Sequence, residues 1–193
     1  MNHFNHTALR RARGTSLIEV LVTLVIVAFG LLGVAAFQAK AQVGSVESYQ
    51  RAQAIILLDD MTSRINVNSD AAADYVGTFG TADEQPADCS EADPGVDRDL
   101  CEWSAALKGA AEVDESGTQV GGMIGARGCI EQVTIANPAP GVCTPAVYRV
   151  TVAWQGLHET RAPALSCGRN AYGTDTFRRA ISSRITVGLT TCS

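Results

Sequence analysis

At 193 residues the chain is long enough for one ordinary domain with an extra element and too short for two comfortable ones. Its formal net charge of -5 conceals an asymmetry, because Arg10, Arg11 and Arg13 precede an apolar segment and every acidic residue follows them. An acidic body lacks the clustered Lys and Arg that phosphates need, so no direct nucleic-acid partner is expected.

From Val20 to Ala39 the chain carries no charge, and Thr23 and Gln38 are its only clearly polar side chains. A bilayer's apolar core of ~30 Å needs ~20 residues at ~1.5 Å rise, so this segment suffices to span one. Three arginines before it and an acidic body after it place the N terminus in the cytoplasm and the rest across the membrane. Three readings compete. A cleaved secretory signal would use Ala39-Lys40-Ala41 as its small-x-small site and leave Gln42 as the first residue. Against it, the apolar run exceeds a usual ~7 to 15 residue signal core, and Glu19 sits at its leading edge, where a charge opposes insertion. A plain single-pass anchor explains the length but not the glutamate.

The third reading explains both. The run Gly14-Thr15-Ser16-Leu17-Ile18-Glu19-Val20-Leu21-Val22 resembles the prepilin cleavage and methylation signal of type IV pilins and pseudopilins: a basic leader, a glycine, then a mature apolar helix with glutamate at its fifth position. The resemblance implies a prepilin peptidase cutting between Gly14 and Thr15, and an N-methylated Thr15 as the first mature residue. A carboxylate in hydrocarbon is costly unless neutralised or paired. The resemblance therefore implies that Glu19 attracts the Thr15 ammonium of an adjacent subunit and sets axial register. Two features depart from the family pattern. Thr15 stands where phenylalanine is usual, and Ala36 where major pilins carry a kinking proline, leaving flexibility to Gly30, Gly33 and Gly44, each weakening a helix by ~1 kcal/mol. Gly30-Leu31-Leu32-Gly33 is similar to minor pilins of the PilV type and to pseudopilins of the I type, and equally suits close helix packing.

After Lys40 the pattern turns amphipathic. Val43, Val46, Tyr49, Ile55, Leu58, Met61 and Ile65 define an apolar stripe, with Gln50, Arg51, Gln53, Asp59, Asp60 and Arg64 expected to face water or neighbours. The divisions expected are a leader at 1–14, a membrane and filament-core helix at 15–39, its amphipathic continuation at 40–66, and a globular domain at 67–193. Leu57 to Asn66 also resembles the end of the long helix in PilV-type proteins.

Residues 67–102 read as loop, interrupted by Gly77, Gly80, Pro86, Pro94 and Gly95 and carrying eight acidic side chains from Asp83 onward. Asp93, Asp97 and Asp99 invite a calcium reading, but their spacing lacks the EF-hand order, and no metal is expected. Trp103 to Val113 is expected as a short helix and residues 121–128 as a glycine-rich turn. Alternation predicts antiparallel strands at Cys129–Ile135, Val147–Trp154 and Ile181–Leu189. The Tyr148 to Trp154 strand and Cys167-Gly168 to Arg179 add a fainter PilV-type likeness. Together these predict an α+β type IV pilin-like fold, a long N-terminal helix packed on a C-terminal antiparallel sheet with disulfide-bounded loops.

Six cysteines follow the apolar segment: Cys89, Cys101, Cys129, Cys143, Cys167 and Cys192. With no C-x-x-C pair and His158 the sole histidine beyond the leader, disulfides in an oxidising compartment are expected rather than zinc. Many connectivities are possible. The sequential set is the working expectation, Cys89–Cys101, Cys129–Cys143 and Cys167–Cys192, the last closing a loop over 156–179.

Enzyme chemistry finds no foothold. There is no G-x-S-x-G elbow around which His158 would complete a triad, and Gly121-Gly122-Met123-Ile124-Gly125 lacks the Lys-Ser/Thr of a P-loop. Trp103 and Trp154 are too sparse for a base-stacking platform and suit a core. No catalytic residue and no cofactor are expected. The resemblance implies a minor pilin that helps initiate type IV pilus assembly and sits at or near the filament tip, serving motility, adhesion or DNA uptake. Its implied partners are other minor pilins, the major pilin, the prepilin peptidase, the inner-membrane assembly platform and membrane lipid. Its implied location is the inner membrane, then the cell-surface pilus. The alternatives are a minor pseudopilin of type II secretion and, from another class, a secreted or membrane-tethered enzyme or binding domain with a conventional signal.

Overall fold

A computed structural model describes residues 14–81, 83–84, 86, 88–109 and 123–189. The chain forms one long helix, α1 (Leu17–Val67), a 3-10 segment (Ser69–Tyr75), strand β1 (Gly77–Gly80), helix α2 (Val96–Leu107), and strands β2 (Arg127–Thr134), β3 (Ala146–Gln155) and β4 (Arg178–Val187). The four strands make one antiparallel sheet in the order β1-β2-β3-β4. The chain divides into two compact units, residues 1–44 and 45–193.

Within the second unit, α1 buries Gln50, Ala54, Leu58, Met61 and Ile65, a stripe that recurs every three or four residues. This corrects the expected stripe. Leu58, Met61 and Ile65 are core, whereas Val46, Tyr49 and Ile55 are 40%, 49% and 44% exposed and Gln50 is 3% exposed. The helix turns a row of small or slender side chains inward at 50 and 54, and the large ones beside that row lie on its flanks. Asp60 and Arg64 do not simply face water either. The Arg64 guanidinium holds Asp60 at 3.1 Å and Asp99 and Glu102 at 2.8 Å. Asn68 and the Tyr75 hydroxyl complete the cluster by donating to the other Asp99 oxygen. Burial, reinforced by Asp99, pushes the Tyr75 hydroxyl up to about 12.

Residues 67–102 are not the continuous loop expected. They contain the 3-10 segment, β1 and the start of α2. Helix α2 begins at Val96 instead of Trp103, with Asp97 and Asp99 in its first turn, where the N-terminal partial charge favours acids. It ends at Leu107, followed by Gly109 at a φ of 88°, a helix-stopping conformation that glycine alone adopts cheaply. The expected continuation to Val113, and Gly121 and Gly122 of the expected turn, lie outside the described residues. Leu100, Trp103 and Leu107 line the inner face of α2. Trp103 donates from its indole nitrogen to the Leu57 carbonyl of α1 at 2.9 Å and meets the Phe79 ring edge-on, 5.9 Å between centroids. That approach requires a glycine in the sheet, since a Cβ on Gly128 would fall 2.1 Å from the Trp103 ring.

Alternation along β3 sorts the two faces of the sheet. Ala146, Tyr148, Val150, Val152 and Trp154 pack into the core with α1 and α2. Thr151 and Ala153 point to the opposite face, where Ala153 packs with Cys129 and Cys167, and Ala180 lies against them. The segment between β3 and β4 folds over that second face. Arg178, fully buried, organises it by gripping both Asp175 oxygens at 2.7 Å and donating to the carbonyls of Pro163, Leu165 and Cys167. Tyr172 is buried beside it, its hydroxyl bonded to the Gly125 and Ala153 carbonyls and pushed up to about 12 by burial.

Cys89 is joined to Cys101, as the sequential set has it, but Cys129 pairs with Cys167. The expected Cys129–Cys143 and Cys167–Cys192 bonds are thereby overturned, along with the loop the latter was to close. The reason is reach. Cys129 lies five residues before the end of β2, ~17 Å at ~3.3 Å each, so a cysteine in the β2–β3 turn is beyond the ~7 Å a disulfide tolerates. The returning segment instead brings the Cys167 Cα within 5.8 Å. Cys143 is also disulfide-bonded, and Cys192 lies outside the described residues. By chain entropy, loops of 12 and 38 residues are worth about 3 and about 4 kcal/mol respectively.

Candidate functional site

The first unit holds the residues to which the sequence assigns a function. Gly14, Thr15 and Ser16 are non-helical, and the Ser16 carbonyl accepts the first helical bonds, from the amides of Glu19 at 3.0 Å and Val20 at 3.3 Å. Ser16 and Glu19 thus stand at the spacing of a capping box, and Glu19 lies in the first turn, where the helix dipole favours its charge. Gly14 and Thr15 are exposed and lie outside the helix.

Behind this polar head the helix is bare. Every described residue from Gly14 to Val46 is exposed, with Leu17 at 91% and Phe29 and Phe37 at 72%. Each large apolar side chain left in water forgoes roughly 1.5–3 kcal/mol, so the segment stands tens of kcal/mol short of its own cover. An 18-residue window here reaches a mean hydropathy of 2.8 with none of it buried. Such a surface needs hydrocarbon or other helices around it. Thr23 satisfies its hydroxyl by donating to the Val20 carbonyl at 2.8 Å, removing one polar cost of burial in lipid. The helix runs unbroken through Gly30, Gly33 and Gly44, at which an added Cβ would meet nothing within 4 Å.

The remaining candidates are scattered through the second unit. Asp99 has both oxygens taken up by Arg64, Tyr75 and Asn68 and is no free metal ligand. Among the described residues no group of three or more His, Cys, Asp or Glu is gathered to hold a metal. His158 sits 3.1 Å from Glu47, whose same oxygen accepts from Arg179 and from the Leu157 amide at 3.2 Å. That cluster ties α1 to the start of β4 and to the segment after β3. Sequence reasoning missed both Glu47 and Arg178. Each is a charge beside apolar residues, and only the fold reveals what it grips.

Residues 9–35 match the family model described as the prokaryotic N-terminal methylation motif. The match takes in Gly14, Thr15, Glu19 and the apolar start of α1, and speaks for that segment alone. No curated protein and no solved structure matches the chain. The motif, the long apolar helix and the four-stranded antiparallel sheet together support a pilin-like or pseudopilin-like, membrane-anchored protein.

Proposed function

We propose that this chain is a minor type IV pilin of the PilV type, a structural subunit that primes pilus assembly and is incorporated at or near the filament tip. The observation that carries the proposal is the methylation motif at residues 9–35 laid on a helix whose first thirty or so residues have no cover of their own. In this reading the peptidase cuts between Gly14 and Thr15, Thr15 becomes N-methylated, and the uncovered helix passes from lipid into a bundle of like helices. Glu19 draws the Thr15 ammonium of a neighbour, because a desolvated carboxylate gains most from the cation nearest its depth. The second unit, held by disulfides, presents the subunit's outer surface to an oxidising compartment.

Intact mass and N-terminal sequencing of the protein from membranes test this directly. The expected product begins at a methylated Thr15, and a start at Gln42 would return the chain to the secretory-signal class. Deleting the gene and counting surface pili then tests the role. Loss of pili with type II secretion intact supports a pilus subunit, and the converse assigns the chain to the secretion pseudopilins.

A further inference from the structure

The face of the sheet away from the core is only partly covered by the segment before β4. Beside the Cys129–Cys167 bond an open groove of about 640 Å³ remains, lined by Arg127, Cys129, Glu131, Ser166, Gly168 and Arg169 among others. Arg127 belongs to this face, because it stands opposite Ala153 in the β2–β3 register. Its Nε is buried without any hydrogen-bond partner. Two positions further along the same face of β2, Glu131 stands opposite Arg149, and Arg149 stands opposite Arg184 on β4. Directly opposed like charges on neighbouring strands repel. Glu131 answers Arg149 only loosely, at 3.5 Å, and gives its other oxygen to Ser166. Arg127, Arg169 and Arg184 form no ion pair among the described residues. A half-desolvated guanidinium whose Nε lacks an acceptor gains more from an incoming carboxylate than a solvated surface arginine does, and the opposed Arg149 and Arg184 on the same face add positive charge.

The chain carries the complement. Between Glu84 and Asp97, the residues Glu84, Asp88, Glu91, Asp93 and Asp97 are exposed and form no ion pair among the described residues. Arg98, the cation directly after that stretch, turns back to the Ala92 carbonyl at 2.8 Å. The Cys89–Cys101 bond and the Arg98 contacts constrain the part of this arm from Cys89 onward, so less conformational freedom is lost there when it docks. The arm leads into α2, which packs on the core side of the sheet. The arginine face is the other side.

We propose that the arginine-bearing face of the sheet is a docking surface for the acidic arm, residues 88–97, of a second copy of this chain. Because donor and acceptor surfaces differ, each copy offers one of each, an arm to give and a face to receive. It requires neither the leader nor the apolar helix, so its test is separate from that of the pilus role.

The experiment uses the full chain in detergent micelles as two differently tagged copies, with co-capture measured from about 0.05 to about 0.5 M salt. Wild-type co-capture is expected to fall at least tenfold across that range. Arg169→Glu with Arg184→Glu, and separately Glu91→Arg with Asp93→Arg, should each weaken it about as much. Mixing the two variants should restore it, since each then meets an opposite charge. Tryptophan fluorescence checks that both variants stay folded. Salt-insensitive co-capture would overturn the proposal, as would a mixture no better than either variant alone. A loss on arginine reversal that arm reversal does not reproduce would overturn it too, giving the face to a different acidic partner.

Discussion

One helix serves two regions under opposite rules. In the first unit α1 is uncharged from Val20 to Ala39 and exposed at every position from Leu17 to Gly44, while in the second it shows one narrow buried stripe from Gln50 to Ile65 between charged flanks. What differs is who supplies the cover. The second stretch finds it in β3, β4 and α2 of its own chain, and Arg64 on its flank is bonded to Asp60, Asp99 and Glu102. The first has no such partner among the described residues, and its apolar surface calls for lipids or other helices. The contrast separates stability from assembly, and it can be probed with the native fluorophores, since Trp103 and Trp154, the protein's two tryptophans, are both buried in the second unit.

The largest effect on folding is expected at Arg178. Arg178→Ala strands Asp175 and three carbonyls beneath the returning segment, and denaturant unfolding followed by tryptophan fluorescence should show a loss of about 3–5 kcal/mol. Replacing Cys129 and Cys167 by Ala removes the 38-residue closure and should cost about 3–4 kcal/mol in the same measurement. The comparison sharpens at the level of single side chains. Met61→Ala, in the buried stripe, should cost about 3 kcal/mol, whereas Ile26→Ala, at 64% exposure, should leave the unfolding midpoint within about 0.5 kcal/mol and register only in filament incorporation. Equal effects of the two would abolish the distinction.

The smallest effect is set by pH. The Arg178 guanidinium holds the Asp175 carboxyl down at about 2, from an ordinary value near 3.8. A depressed carboxyl contributes stability above its unfolded value and loses it as pH falls, so the segment over the second face should loosen between about pH 4 and pH 2. Hydrogen exchange at the Tyr172 to Asp175 amides would register this, and Asp175→Asn should remove the transition.

The two units also differed in how far the sequence disclosed them. The apolar span needs only composition and length, and the segment around Glu19 is local, so both were visible. Strands β2, β3 and β4 announced themselves by alternation, because each has one face on the core. Strand β1 did not, since Gly-Thr-Phe-Gly carries almost no pattern and exists by pairing with β2 and setting Phe79 edge-on to Trp103. Helix α2 was misplaced because its N-terminal turn, Asp97 to Asp99, looks like acidic loop until Arg64 and Tyr75 are set beside it. Gln50 was assigned outward on polarity, though its place in the stripe fixes it inward. The Cys129–Cys167 bond depends on a segment doubling back across the sheet, which no spacing rule encodes.

The ion pair between Glu47 and Arg179 joins residues 132 apart, the first turns of the buried half of α1 to the opening of the last described strand. Contacts so distant in sequence are slow to form, because the loop between them must be ordered first. The pair therefore forms late, once β4 has docked on β3 and carried Arg179 to α1. Closure at Arg179 then marks, in time, the moment at which the globular unit is whole.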